Sequence, residues 1–154
     1  MFEKVSESEW NKFGGKYGDY ENIIIPRRST IFSAGYDFFS ACDIDVKAGE
    51  TYVIPSGIKV KFDYVSQYLA IFPRSSLGFK YGMKLSNTIP VIDSDYYGNE
   101  DNEGHILISF SSDKDFKIKK GDKFCQGIVM FYEVLKGEIP PTKTRTGGIG
   151  STGK

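Results

Sequence analysis

Little in this chain of 154 residues is suited to cross-linking or to caging a metal. It has two cysteines, Cys42 and Cys125, each standing alone without a Cys-x-x-Cys partner. Neither a disulfide framework nor a zinc site is expected, and both read as reduced thiols packed as small apolar residues. Charge of one sign is also lacking, since 20 Lys and Arg balance 20 Asp and Glu. That removes the global basic field on which non-specific nucleic-acid binding depends, so no direct nucleic-acid contact is expected and a phosphate ligand needs a local site. No run of about 18 apolar residues is present. The segment Met1-Phe2-Glu3-Lys4-Val5 lacks the apolar core of a signal peptide. A soluble cytoplasmic protein without membrane contact is the expectation. His105 has no Ser or Cys arrangement around it and is read as a surface or supporting residue. There is no Walker-type loop, no zinc-ligand spacing and no internal repeat at a fixed period.

Aromatic residues and glycine are plentiful instead, with 12 Phe, 10 Tyr and 17 Gly. This favours short strands and many turns, and the length suits one domain. Ser6 with Glu9 has the spacing of a capping box and predicts a short helix through Trp10 to Phe13, ended by Gly14 and Gly15. Residues 1–21 read as an appendage to the domain. From Asn22 onward the pattern is β. Ile23-Ile24-Ile25 runs into Pro26. Ile58, Val60 and Phe62 alternate with lysines; Ile106, Ile108 and Phe110 alternate likewise, and Phe116 with Ile118 continue the theme. Phe124 to Tyr132 is nearly continuous apolar and predicts a strand buried on both faces. Turn signals at Ala48-Gly49-Glu50, Pro55-Ser56-Gly57 and Lys120-Gly121-Asp122 separate the runs. An all-β sandwich or jelly roll follows.

Residues 136–141 carry Gly137, Pro140 and Pro141 and break the sheet pattern. The remainder, to Lys154, is rich in Gly, Ser and Thr. Composition leaves two readings open: a mobile tail, or an arm that orders over a ligand, because glycine amides can cradle phosphate oxygens. Asp93-Ser94-Asp95-Tyr96 follows the apolar pair Val91-Ile92. If the strand continues, both carboxylates face one side, suited to a cation or to activating water; a simple turn uses the same residues. In Pro73-Arg74-Ser75-Ser76-Leu77-Gly78, Ser75 is placed to cap a short helix reaching Lys80 or Tyr81. This is either an anion site beside Arg74 or an ordinary cap. Gln126 interrupts an apolar strand, which a structural hydrogen bond or a ligand contact would explain.

Together these elements resemble the trimeric dUTPase family. Five motifs fall in order: Ser33-Ala34-Gly35-Tyr36-Asp37; Pro73 to Gly78; Asn87 through Asp93 and Tyr96 to Gly98; Gly121 to Gln126; and Arg145 through Gly147-Gly148-Ile149-Gly150-Ser151-Thr152-Gly153. The segment Asn99 to His105 looks like an insertion found in Gram-positive bacteria and their phages. The resemblance implies a distorted jelly-roll homotrimer that hydrolyses dUTP to dUMP and pyrophosphate with Mg²⁺. It implies a domain over residues 1–140 and a flexible arm over 141–154 that closes on a neighbouring subunit's site. Asp93 would be the general base. Tyr96 would pack under the deoxyribose and Asn87 would read uracil. Arg74, Ser75, Ser76 and Gln126 would hold phosphate oxygens. Arg145, Ile149, Gly150, Ser151 and Thr152 would close over the nucleotide, and Asp37 would reach Mg²⁺ through water. Ile149 stands where the family carries Phe over the uracil, and Pro90 where it has Gly. The same fold hosts dCTP deaminases, and some phage members bind a repressor protein; these are the competing expectations.

Overall fold

The alternating segments do form strands. The computed structural model describes residues 1–143 and 145–148. In chain order it contains β1 (Phe2–Lys4), α1 (Glu7–Asn11), β2 (Arg27–Arg28), β3 (Tyr36–Phe39), β4 (Ile44–Val46), β5 (Thr51–Pro55), β6 (Ile58–Val60) and β7 (Gln67–Pro73). There follow α2 (Ser75–Tyr81), β8 (Lys84–Leu85), β9 (Val91–Ile92), β10 (Leu107–Ser111), β11 (Phe116–Ile118) and β12 (Lys123–Phe131). Single 3₁₀ turns stand at Tyr20–Asn22 and Ser94–Tyr96. A five-stranded sheet runs β2-β3-β12-β7-β9; β5-β10-β8 form a second sheet, and β11 with β4 and β1 with β6 form two pairs. The ladders are antiparallel. Ile106, Ile108 and Phe110 point inward and are fully buried, as their alternation predicts. Phe38, Leu69, Ile71 and Phe124 close the core from the large sheet.

Four expectations are corrected. Ile23 to Ile25 form no strand: Ile23 is buried, but its side chain packs against Gly57 in a loop between the 3₁₀ turn and β2. The strand β12 is buried only along its first half, and Met130 and Phe131 are exposed. Residues 1–21 are bound into the body of the domain. The strand β1 pairs with β6, and Val5 and Trp10 are core residues. His105 is completely buried, which corrects the surface half of its reading and leaves the supporting half.

The predicted cap of α1 is present: Ser6 accepts the Glu9 amide at 3.1 Å. Burial pushes the Cys125 thiol well above its usual pKa and raises that of Cys42, in keeping with two inert, unpaired thiols. Among the described residues no helix is long and apolar enough to cross a membrane.

Candidate active site

The central strand β12 organises a cleft at one end of the large sheet. Asp37 in β3 lies opposite Gln126, and Gln126 lies opposite Phe72 in β7, so all three project from the same face. Where β7 ends, Arg74 takes the N-cap position of α2, and Ser75 and Ser76 open its first turn. Ser75 is therefore not the cap that the sequence suggested. It is the first helical residue, where an amide has no partner within the helix. Asp37, Gln126, Arg74, Ser75 and Ser76, with Ser29, Ser33 and Gly35, line a cavity of 370 Å³. Gly35 lets Gln126 come close, since a Cβ there would stand 2.3 Å from Gln126 Oε1 and would push that side chain aside.

Asp37 is buried and ringed by donors. Ser29 Oγ donates to it at 2.5 Å, Lys123 Nζ stands at 2.9 Å and Arg74 Nε at 3.6 Å. Burial acts most strongly and would raise its pKa, but Ser29, Lys123 and Arg74 together outweigh it and hold the carboxyl below its ordinary range. One anion between two cations leaves the cleft net positive, which suits phosphate. Ser29 and Lys123 were not foreseen. Strict alternation would put Lys123 on the opposite face from Gln126. A bulge between Lys123 and Cys125 instead sets Lys123 opposite Phe39, two residues from Asp37 and on its face.

A second group lies elsewhere on the chain. Asp93 is the N-cap residue of the turn Ser94–Tyr96, so Asp93 and Asp95 are not strand neighbours as the sequence suggested. They converge on a cation all the same. Arg145 Nη2 lies 3.1 Å from Asp93 Oδ2, and its Nε lies 3.2 Å from Asp95 Oδ1. The same guanidinium stands 5.4 Å from the centre of the Tyr96 ring. Tyr96 is buried, and burial chiefly raises its phenol pKa, keeping it neutral. Its hydroxyl accepts from Asn102 Nδ2 at 2.8 Å and donates to the His105 carbonyl at 3.3 Å. His105 Nε2 accepts the Gly57 amide at 2.8 Å, so its one proton sits on Nδ1, facing Glu9 Oε1 at 3.3 Å. Burial lowers the His105 pKa against the pull of Glu9, and the ring is neutral.

Asn87 is exposed in the turn after β8, beside Thr88 at φ 62°. The strands flanking it pair elsewhere, β8 with β10 and β9 with β7. Ile149, Gly150, Ser151 and Thr152 lie outside the described residues. Among the described residues no side-chain hydrogen bond or ion pair joins the Asp37 cleft to the Asp93 group.

A model of the dUTPase family matches residues 21–153 of the chain. The deoxyuridine 5'-triphosphate nucleotidohydrolase of Lactococcus lactis is 42% identical over 139 residues, covering 87% of this chain and 92% of that protein. The dUTPase of Streptococcus mutans has a similar structure, with a TM-score of 0.69 at 34% identity over 88% of this chain and 98% of that one. A dUTPase from Staphylococcus aureus phage phi11, described with a structural Mg(II) ion, shares the fold at a TM-score of 0.68 and 17% identity, over 91% of this chain and 95% of that one.

Proposed function

This chain belongs to the dUTPase family and is a dUTP nucleotidohydrolase, and on that premise we propose that Asp93 is the general base for attack of water on the α-phosphate. The observation that carries the assignment is Arg145. It bridges Asp93 and Asp95 and stands over the Tyr96 ring, so one cation marks both the base and the sugar platform. Asp93 is half exposed, with room for a water at its free oxygen. Tyr96 offers a ring face to the deoxyribose and leaves no space for a 2′-hydroxyl. Asn87 reads the uracil edge. Arg74, Ser75, Ser76 and Gln126 donate to phosphate oxygens, where preorganised donors stabilise developing charge. Arg145 passes from the carboxylates to the phosphates as the arm closes, with Ile149, Gly150, Ser151 and Thr152 following it.

Among the described residues no side-chain hydrogen bond or ion pair joins the two halves of the site, and we place them together in a homotrimer. The phosphate cleft of one subunit then faces the Asp93 group of the next. Magnesium fits as a guest of the nucleotide. Among the described residues no three Asp, Glu, His or Cys side chains cluster to cage a cation. Asp37 is the carboxylate of the cleft. That suits an ion which keeps its waters and takes phosphate oxygens directly. Bound there, the ion would neutralise charge on the triphosphate.

Purified protein is incubated with Mg²⁺ and, separately, dUTP, UTP, dTTP and dCTP. Pyrophosphate is expected from dUTP alone, and a chelator should stop its release. Asp93→Asn should lower kcat by roughly two to four orders of magnitude while still binding dUTP. Ammonia from dCTP would favour a deaminase, and full activity in Asp93→Asn would remove Asp93 as the base.

A further inference from the structure

The hydroxyl of Tyr96 is held from outside the family motifs. Residues 99–104 fold into a small cage against the back of the tyrosine turn. Asn99 Oδ1 accepts the amides of Asp101 and Asn102, both at 3.1 Å, and its Nδ2 donates to the Tyr96 carbonyl at 2.8 Å. Gly104, at φ 88°, closes the cage; a Cβ there would stand 2.8 Å from the Tyr96 carbonyl oxygen and 2.9 Å from Tyr97 Cα. Within this frame the orientation of Asn102 is fixed by chemistry. The Gly104 amide can only donate, and it points at Asn102 Oδ1 at 3.1 Å. The other side of the amide, Nδ2, must therefore face Tyr96 Oη, at 2.8 Å. With its lone pair taken, the phenol turns its proton to the His105 carbonyl.

From this geometry we infer that Asn102 is a positioning residue for the sugar platform. It fixes the tilt of the Tyr96 ring and thereby sets how firmly the enzyme excludes a 2′-hydroxyl. The inference rests on the reading of Tyr96 as the deoxyribose platform. Asn102 need not touch the nucleotide. It acts through one hydrogen bond to the tip of a ring carried by a turn of only three residues. The cage is anchored independently: Glu103 accepts the Ser6 amide at 3.0 Å and pairs with Lys59 at 3.0 Å.

The test compares kcat/KM for dUTP and UTP in Asn102→Ala, Tyr96→Phe, the double variant and Tyr96→Ala. Losing one neutral hydrogen bond should cut the dUTP-to-UTP preference about three- to tenfold in Asn102→Ala, through KM more than kcat. Tyr96→Phe removes that bond from the other side, together with the longer bond from the phenol to the His105 carbonyl, and should lose at least as much. The double variant should lose no more than Tyr96→Phe alone. Additive losses, or an unchanged preference in both single variants while Tyr96→Ala relaxes it, would overturn the positioning role and leave the sugar reading standing. An unchanged preference in Tyr96→Ala would remove the sugar reading and the inference with it. Where Asn102→Ala fails to fold, Asn102→Asp takes its place, keeping the acceptor of the Gly104 amide and losing the amide donor to Tyr96.

Discussion

Asp37 shows how much a carboxylate's surroundings determine what it can do. In isolation it is an acid that would repel a triphosphate. Between Lys123 and Arg74 it becomes a spacer that keeps two cations in place without cancelling both. A sign follows. Asp37→Asn makes the cleft more positive, so a non-hydrolysable dUTP analogue should bind at least as tightly by calorimetry, while turnover with Mg²⁺ falls. Weaker binding would contradict the charge argument, and undiminished turnover would remove Asp37 from the metal's surroundings. At this scale the sequence disclosed the chemical types and their order but not the neighbours. Gln126 is legible as a polar break in an apolar strand, and Asp37 as part of a motif. Lys123 is not, because one bulged residue reverses the face that alternation assigns to it. His105 misleads for a related reason. A buried imidazole needs two partners, and here they come from Gly57 and Glu9, 48 and 96 residues away.

Among the elements, the join between α1 and residues 99–104 carries more than either piece suggests. Ser6 caps its helix and also donates its amide and hydroxyl to Glu103, which Lys59 approaches from β6. The Ser6 hydroxyl chiefly lowers the Glu103 pKa, with Lys59 and the Ser6 amide assisting against burial, down to about 2 from 4.5. A carboxylate whose folded pKa lies below its unfolded value adds stability that is complete above the unfolded value and is lost as pH falls through the folded one. Denaturant melts of wild type and Glu103→Gln should therefore differ by a constant amount above pH 4.5, with the difference shrinking as pH drops to about 2. A gap that persists at the acid end would mean that Glu103 acts through packing instead of charge. The helix itself was readable, because a capping box is a local signal. Ile23 to Ile25 were misread because three β-branched residues look like a strand whether or not an edge is available to pair with them.

At the scale of the whole molecule, the phosphate cleft and the Asp93 group are both well formed, and among the described residues no side-chain bond joins them. Association is the natural way to unite them. The chain also carries suitable apolar cover from the last residue of β12 onward, where Phe131, Val134, Leu135 and Ile139 are 64%, 63%, 80% and 93% exposed. In sedimentation the protein should run at three times the 17.3 kDa of one chain. Leu135→Asp should shift it towards the monomer and remove dUTP turnover together. A fully active monomer would sink the divided site. The β class was legible in the alternating runs of β6, β10 and β11. The sheet order was not, since β3, β12 and β7 become neighbours only through long-range pairing that no local pattern encodes.

Trp10 is the chain's one tryptophan, and it sits at the seam where α1 meets the rest of the domain. Its indole is 2% exposed, donates to the Gly18 carbonyl at 3.0 Å and lies 6.3 Å from the His105 ring. Selectively excited fluorescence of the unlabelled protein therefore comes from a single address. The protein carries its own optical gauge of whether the N-terminal helix is seated, readable while the enzyme works and without an added dye.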